Sequence, residues 1–382
     1  MRSRQARRRP LDLVGIGLAA SSTICSTTGE FQPANDYKAD ALRWWPDALG
    51  TFCTIGCAVL SRWQWKTALV TSMGRDEDGR ALRRRLRDRD ISLLFARATS
   101  ETGRQLVIAP RASGIRYVVD RHVHRAPLTP TQSVRLARCL PRVRSAAWLL
   151  LDKYETDLAL ALFESERWRR ARRRPAVLFD TGSRPRSATQ AATADEVAGR
   201  GHVELQILPH VDVFTAPLEW VLALAHERGA HASGDRKDAT PLEALLARVK
   251  DVLASLPGSP SGPSLFLVTA GSDGVVALWR DPTHGALSHR VLPPPASSDD
   301  HTVEIRLGAG DVFRAALVAG LLERGLTPQR LAALLAEGTD DSIVQVAQHA
   351  ARRWIARRAD PDYFGDFPDS YDALAREYEA IR

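Results

Sequence analysis

Short apolar runs rich in Val, Leu and Ile recur along the chain and alternate with longer helical patterns. Six runs are candidate strands: Leu11–Gly17, Thr67–Ser72, Ala146–Leu151, Ala176–Asp180, Val211–Thr215 and Ser264–Ala270. Most are apolar throughout, which is typical of parallel strands covered on both faces. Helices are predicted between them at Glu77–Arg89, Thr156–Arg172, Leu218–Glu227 and Leu242–Leu256. The alternation predicts an α/β protein built around a mostly parallel sheet.

A second pattern interrupts this alternation. Arg104–Pro110 and Gly114–Asp120 are strand-like runs separated by Arg-Ala-Ser, which predicts a β-hairpin. Together with Thr28–Trp45, the hairpin predicts a small sheet outside the main layer, formed by about residues 28–45 and 101–125. Two insertions on one side of an α/β core would make a lid over a site at the strand ends.

The C-terminal segment differs in composition from the rest of the chain. After Arg358 the sequence turns acidic and aromatic, and a helix is predicted from Asp369. We therefore expect one domain over residues 1–358, followed by a tail helix within residues 359–382.

The N-terminus imitates a secretion signal, because Arg2–Arg9 precedes a partly apolar stretch at Leu11–Cys25. Asp12 interrupts the start of that stretch, and Ser-Ser-Thr dilutes its end. A buried first strand followed by a glycine turn is the better interpretation, and a cytoplasmic location is expected.

Composition and charge narrow the class of protein. The chain has 382 residues, of which 44% are hydrophobic and 26% charged, a balance typical of globular proteins. The net charge of +8 would suit a polyanionic partner, but basic runs such as Arg167–Arg174 are local and fit solvated helix ends. No nucleic-acid-binding module accompanies the charge, and no stretch approaches the ~20 apolar residues of a membrane span. We expect neither a nucleic-acid nor a membrane partner.

The four cysteines lack the spacing of a metal site. Cys25, Cys53, Cys57 and Cys139 form no CxxC pair and have no histidine at zinc-finger distance. Reduced thiols with a structural role are therefore predicted.

The segment Leu307–Asp311 is the most informative candidate for chemistry. Its small residues, Gly308, Ala309 and Gly310, allow close approach of a ligand to the backbone, and an apolar helix follows. A glycine turn at a helix N-terminus binds anions, and a carboxylate beside such a site is suited to accept a proton. Phosphoryl transfer needs this combination. The tetrapeptide alone is equally compatible with a plain loop in which Asp311 caps the helix.

Further motifs favour the first interpretation. Gly308–Phe313 reads Gly-Ala-Gly-Asp-Val-Phe and resembles the C-terminal signature of the ribokinase-like (PfkB) carbohydrate kinases. Four other segments resemble motifs of that family in the same order: Ser72–Gly79, Glu101–Gly103, Phe179–Arg184 and Val268–Gly274. The resemblance spans about residues 11 to 358.

The resemblance implies a three-layer α/β/α sandwich with a small β-sheet lid, and it implies ATP and Mg²⁺. Asp311 would be the catalytic base, with Gly308, Ala309 and Gly310 around the transferred phosphoryl group. The residues implied to bind nucleotide are Thr269, Gly271, Gly274 and, near the adenine, Gln348.

The acceptor side departs from the family pattern. Ser22 stands where the family commonly has a hydroxyl-binding Asp, and Gly56 stands where it has an Asn, after Gly50-Thr51. Of the family's Asn-x-x-Glu pattern only Glu219 remains, as an implied contributor to the Mg²⁺ water shell. These changes predict an acceptor pocket that is wider and less anionic than in a ribokinase or fructokinase.

The sequence therefore predicts an ATP- and Mg²⁺-dependent kinase acting on a hydroxyl of a sugar, sugar acid or nucleoside. The resemblance to the family also implies a dimer that pairs through the lid. The alternative is a kinase-fold protein without catalysis that senses nucleotide or binds a partner.

Overall fold

The computed structural model describes residues 11–27, 42–110, 117–121, 127–171, 173–182, 203–227, 241–254, 262–280, 286–295, 308–356 and 367–381. Its strands are β1 (Leu13–Ile16), β2 (Ala20–Thr27), β3 (Leu42–Gly50), β4 (Thr67–Gly74), β5 (Ser92–Thr99), β6 (Gly103–Pro110), β7 (Tyr117–Arg121), β8 (Trp148–Asp152), β9 (Ala176–Asp180), β10 (Val213–Pro217), β11 (Leu265–Thr269), β12 (Val275–Arg280) and β13 (Leu287–Leu292). The α-helices are α1 (Phe52–Arg62), α2 (Glu77–Asp88), α3 (Pro130–Ser145), α4 (Thr156–Phe163), α5 (Glu166–Arg169), α6 (Leu218–Glu227), α7 (Pro241–Ala254), α8 (Ala309–Arg324), α9 (Pro328–Glu337), α10 (Ser342–Ala356) and α11 (Tyr371–Ile381).

Nine strands form one large sheet in the order β13-β12-β11-β10-β9-β8-β1-β4-β5. The pairs from β11 to β5 are parallel, whereas β12 and β13 are antiparallel additions at one edge. The fully apolar strands are buried on both faces, as the sequence predicts.

Helices cover both faces of this sheet. One buried cluster joins the sheet to α1, α2 and α8–α11, and a second joins the opposite face to α3–α7. The predicted three-layer α/β/α sandwich is confirmed. The segment Thr156–Arg172, predicted as one helix, is instead two helices, because Ser165 caps a new helix start and Trp168 turns into the core.

A separate sheet of four strands, in the order β3-β2-β6-β7, corresponds to the predicted lid. The first two strands of this sheet along the chain lie at Ala20–Thr27 and Leu42–Gly50. Most of the predicted lid segment, residues 28–45, falls between these two strands. Residues 28–41 of that segment lie outside the described residues. The parallel pairing of β2 with β6 joins two distant parts of the chain.

The small sheet is tied to the body by the turn that follows β4. The carboxylate of Asp76 caps α2 through the amide of Gly79 and accepts a hydrogen bond from the backbone N–H of Thr102, at 2.8 Å. The Thr102 hydroxyl donates to Asp76 and accepts from the amide of Gly74. The motif Ser72–Gly79 thus fixes the chain where β6 begins.

The predicted C-terminal helix is present as α11, and it packs into the core. Tyr371, Leu374 and Tyr378 are buried in the cluster that contains α8 and α10. Phe367 stacks on Trp63 at a centroid distance of 5.8 Å. Within the described residues, no helix combines the length and apolar character that crossing a bilayer requires.

Candidate active site

The carboxyl ends of five adjacent parallel strands lie side by side and form the strand-end edge of the large sheet. These strands are β11, β10, β9, β8 and β1. Asp152 and Asp180 are the last residues of β8 and β9, pair in register, and are both buried. Asp152 accepts a hydrogen bond from the amide of Leu18, at 3.1 Å, and so holds the link between β1 and the small sheet. Ligands of open α/β sheets bind at this edge.

Helix α8 begins above this edge at the predicted glycine turn. Gly308 is its N-cap, in a left-handed conformation with φ 82°, which favours glycine. A Cβ atom there would lie 2.9 Å from the Nε1 atom of Trp354, so the indole packs directly against the turn. No side chain in the described part of the chain caps this helix start. Its first amides, at Ala309 and Gly310, are suited to bind an anion.

Asp311 lies in the first turn of α8, with a side chain that is 20% exposed. The guanidinium of Arg314, one turn later, lies 3.5 Å from its Oδ1 atom. The same guanidinium lies 2.6 Å from Asp180 Oδ1 and donates through Nε to Thr215 Oγ1, at 2.9 Å. The carboxylate that the sequence predicts to be a base is therefore held in a polar cluster at the centre of the sheet edge.

The predicted nucleotide-binding residues lie around the end of β11, two strands away from β9, which carries Asp180. Thr269 ends β11, and Gly271 and Gly274 follow in the turn to β12 with φ values of 61° and 101°. A Cβ atom at Gly274 would overlap the backbone at Leu292–Pro293, and the Nε2 atom of Gln348 donates to the Pro293 carbonyl at 3.4 Å. The structure thus brings Gly274 and Gln348 to the same backbone segment.

Two predicted acceptor residues meet on the small sheet. Ser22 is buried, and its hydroxyl donates to Gln105 Oε1 at 3.1 Å. A Cβ atom at Gly50 would overlap the Ser22 hydroxyl. Ser22, Gly50 and Gln105 therefore form one polar patch across β2, β3 and β6.

The other two predicted acceptor residues have different surroundings. Thr51 is the N-cap of α1, and its hydroxyl bonds to the Leu18 carbonyl at the carboxyl end of β1. Gly56 lies in the middle of α1, where a Cβ atom would be 3.0 Å from Leu150 Cδ1. Gly56 therefore allows close packing of α1 on β8.

Glu219, the predicted metal residue, lies in the first turn of α6 and is exposed. This turn directly follows β10, between the strand ends that carry Asp180 and Thr269. Within the described ranges, no cluster of three or more potential metal-ligating side chains occurs. A single carboxylate fits Mg²⁺ that arrives with nucleotide phosphates, because Mg²⁺ commonly takes one or two carboxylates and keeps several waters.

The sequence reasoning missed Arg314, Thr215 and Gln105 as members of the site. Arg314 follows Asp311 at the i+3 spacing that places both on one face of α8, which was the available signal. Thr215 and Gln105 sit in ordinary strand patterns, and only the tertiary structure shows their partners.

The thiols near the site are structural. Cys53 and Cys57 are fully buried in α1 and form no disulfide. Burial raises the pKa of Cys57 to about 12, and burial followed by the charge of Asp152 raises the pKa of Cys53 well above its usual value. Neither sulfur is a ready nucleophile, because the thiolate is strongly disfavoured.

Solved structures with the same architecture include ribokinases and related kinases. Ribokinase from Giardia lamblia is 15% identical, with a TM-score of 0.65 over 97% of this chain and 99% of that one. Ribokinase from Cryptococcus neoformans in complex with ADP is 14% identical, with a TM-score of 0.64 over 96% and 99%. The nucleoside kinase of Methanocaldococcus jannaschii, an archaeal member of the ribokinase family, is 14% identical, with a TM-score of 0.57 over 97% and 99%.

These similarities cover nearly the full length of this chain and of each compared chain, so the overall fold is shared. No protein-family model and no curated protein matches the chain. At identities of 14–15%, this structural similarity shows the fold alone, and the chemistry follows from the site itself.

Proposed function

Starting from a chain with the ribokinase fold, we propose an ATP- and Mg²⁺-dependent phosphotransferase that acts on a hydroxyl of a sugar, sugar acid or nucleoside. The observation that carries this proposal is the position of Asp311. It lies in the first turn of α8, above the ends of β9 and β10 and beside the amides of Ala309 and Gly310, which no side chain of the described residues caps. A proton acceptor and an anion site thus coincide where this fold binds ligands.

In the proposed reaction, the acceptor hydroxyl transfers its proton to the carboxylate of Asp311. The acceptor oxygen then bonds to the γ-phosphorus of ATP, and the bond from that phosphorus to the bridging oxygen breaks, releasing ADP. The first amides of α8 stabilise negative charge on the phosphoryl oxygens. Mg²⁺, held through phosphates and water near Glu219, would supply further charge neutralisation.

The nucleotide would lie along the turn after β11. Thr269, Gly271 and Gly274 border the phosphates and ribose in this proposal, and the segment of α10 around Gln348 borders the adenine. Similarity to the ADP-bound ribokinase supports this placement at the level of fold.

The acceptor would lie between the small sheet and the strand ends. The Ser22–Gln105 pair offers one hydroxyl and one amide. Neither group is charged. This pair therefore favours recognition of the acceptor by shape and by neutral hydrogen bonds, and not by a hydrogen bond from an acceptor hydroxyl to a carboxylate. We expect poor activity on ribose and fructose. A Michaelis constant for either sugar well below 1 mM would contradict this part of the proposal.

Replacing Asp311 tests the proposed function. Asp311→Asn should lower kcat by roughly 10²- to 10⁴-fold, as expected for loss of a general base, while ATP binding measured by calorimetry stays close to wild type. The matched control is Asp372→Asn, which changes an exposed carboxylate in the first turn of α11 and should leave kcat unchanged. Activity is measured as ADP release over a panel of sugars, sugar acids and nucleosides.

The outcomes separate two classes of protein. Full activity of Asp311→Asn on a verified acceptor would rule out the assignment of the base. Tight ATP binding without transfer to any member of the panel would instead favour a nucleotide-sensing protein without catalysis. A cytoplasmic location and pairing of two lids in a dimer belong to the same proposal, and sedimentation of the purified protein tests the dimer.

A further inference from the structure

Arg314 is a buried charged residue with several polar partners at the proposed site. Its side chain is only 6% exposed, although arginine is rarely buried unless it is paired. It contacts Asp180 at the end of β9, Thr215 in β10 and Asp311 on its own helix. The guanidinium also lies 5.4 Å from the ring centroid of Phe52, the first residue of α1.

These contacts join four elements at one point. The two ion pairs run to carboxylates on β9 and α8, and the hydrogen bond to Thr215 fixes the plane of the guanidinium. Because that group is a rigid fork, fixing one edge restricts where the others point. The start of α8 is therefore held at a set position above β9 and β10.

Gly310 fits the same arrangement. A Cβ atom at this residue would lie 2.8 Å from the Nη1 atom of Arg314, too close for a real contact. A side chain at position 310 would therefore displace the guanidinium of Arg314 from its present position. The turn and the arginine form one packed unit.

We propose that Arg314 is a positioning residue that holds the Asp311 carboxylate in the geometry needed for phosphoryl transfer. The inference rests on the proposed function. Arg314 acts through Asp311, with Asp180 as its buried counter-ion. A base displaced by about 1 Å can lose roughly 10²-fold in rate, so such a residue would govern kcat without touching the substrate.

The first test compares the effect of Arg314 variants on kcat with their effect on the KM for ATP. Arg314→Gln should lower kcat by about 10- to 100-fold and leave the KM for ATP within about threefold, because binding groups remain in place. Arg314→Lys keeps the charge but loses the fork, and should fall between wild type and Arg314→Gln. The control is Arg324→Gln in the last turn of α8, where the native side chain pairs with Asp340 at the surface. It should behave as wild type.

The second test is a double-mutant cycle with Asp311→Asn. A residue that acts through Asp311 has little further effect once that carboxylate is gone, so the double variant should have nearly the activity of Asp311→Asn alone. If Arg314 were purely structural, Arg314→Gln would lower the activity of the wild-type protein and of the Asp311→Asn variant by the same factor. Equal factors would overturn the proposal.

Folding is controlled separately, because Arg314→Gln leaves the Asp180 carboxylate buried without its guanidinium. Should that variant not fold, Asp180→Asn/Arg314→Gln removes both charges together, and the same cycle is run on it. Unchanged kcat in either folded variant would also overturn the proposal.

An activity-independent readout distinguishes failure of this inference from failure of the proposed function. In protein labelled with ¹³C at aspartate carboxyl groups, the Asp311 signal is the one that Asp311→Asn removes. Its chemical shift should move in Arg314→Gln and stay in Arg324→Gln. A wild-type protein that transfers no phosphate rules out the proposed function, whereas an unmoved Asp311 signal rules out the positioning contact.

Discussion

At the scale of single residues, Thr51 has a backbone conformation that is unfavourable for its residue type. It has φ 72° and ψ 153°, a region that is populated almost only by glycine, yet it is β-branched. Its hydroxyl bonds to the Leu18 carbonyl and lies 3.3 Å from the Thr54 hydroxyl. The hydrogen bonds and the N-cap position of α1 hold a conformation that the residue alone would avoid.

Two substitutions at Thr51 separate the strain from the hydrogen bonds. Thr51→Val keeps the strained backbone and loses the hydroxyl, so it should lower the free energy of unfolding by about 1 to 3 kcal/mol. Thr51→Gly also loses the hydroxyl but removes a strain of about 1 to 3 kcal/mol, so it should stay close to wild type. Urea unfolding measures both. A glycine variant less stable than the valine variant would contradict this account.

At the scale of elements, the contact between α10 and α11 contains an acid-sensitive residue. His349 on α10 is buried and lies 4.0 Å from Glu377 on α11, while Arg353 forms an ion pair with the same carboxylate at 2.7 Å. Burial lowers the pKa of His349, and the charges of Arg353 and Arg352 lower it further, against the opposing charge of Glu377. The imidazole is therefore held neutral in the folded protein.

This shift gives stability a defined pH dependence. The pKa of His349 is lower in the folded protein than its ordinary 6.5, so the unfolded chain binds more protons below that pH. Stability should thus fall as the pH drops below about 6.5. His349→Gln should make the free energy of unfolding less dependent on pH between 7 and 5. His226→Gln, at an exposed position, is the control and should keep the wild-type slope. An unchanged slope in His349→Gln would contradict the assignment.

At the scale of the whole molecule, the C-terminal segment is part of the structure that supports the glycine turn. Trp354 packs against Gly308, its ring meets Phe367 edge-on at 5.5 Å, and Phe367 stacks on Trp63. The Nε1 group of Trp63 donates to the Pro368 carbonyl at 2.8 Å. Trp63, Phe367 and Trp354 therefore form one continuous aromatic layer, which ends against Gly308.

Removing one buried side chain from α11 tests this integration. Leu374 is fully buried, so Leu374→Ala should lower the free energy of unfolding by about 2 to 5 kcal/mol, through lost burial and the cavity left behind. Ile381→Ala on the same helix changes a side chain that is 38% exposed and should cost less than about 1 kcal/mol. A loss of less than about 1 kcal/mol in Leu374→Ala, measured by thermal unfolding, would show that α11 contributes little to the stability of the protein.

The sequence by itself determined the elements whose signals are local. Apolar runs identified the buried strands. The bounds of α8 follow from the residues at its two ends, because Gly308 precedes it and Gly325, in a left-handed conformation, follows it. Thr327 and Pro328 then open α9. The order of motifs identified the architecture and the lid. These features depend on neighbouring residues, which a single sequence displays directly.

Only the tertiary structure decided which distant side chains share a site. Arg314 meets Thr215 across 99 positions of the chain, and Ser22 meets Gln105 across 83. The motif order predicts Gly56 as an acceptor residue, and the structure adds that it lies inside α1 and packs against Leu150. Residue spacing does not encode such contacts, because they depend on how the sheet orders its strands and where each helix crosses it. Burial and pairing of charge at the strand ends then decide which side chains can act together.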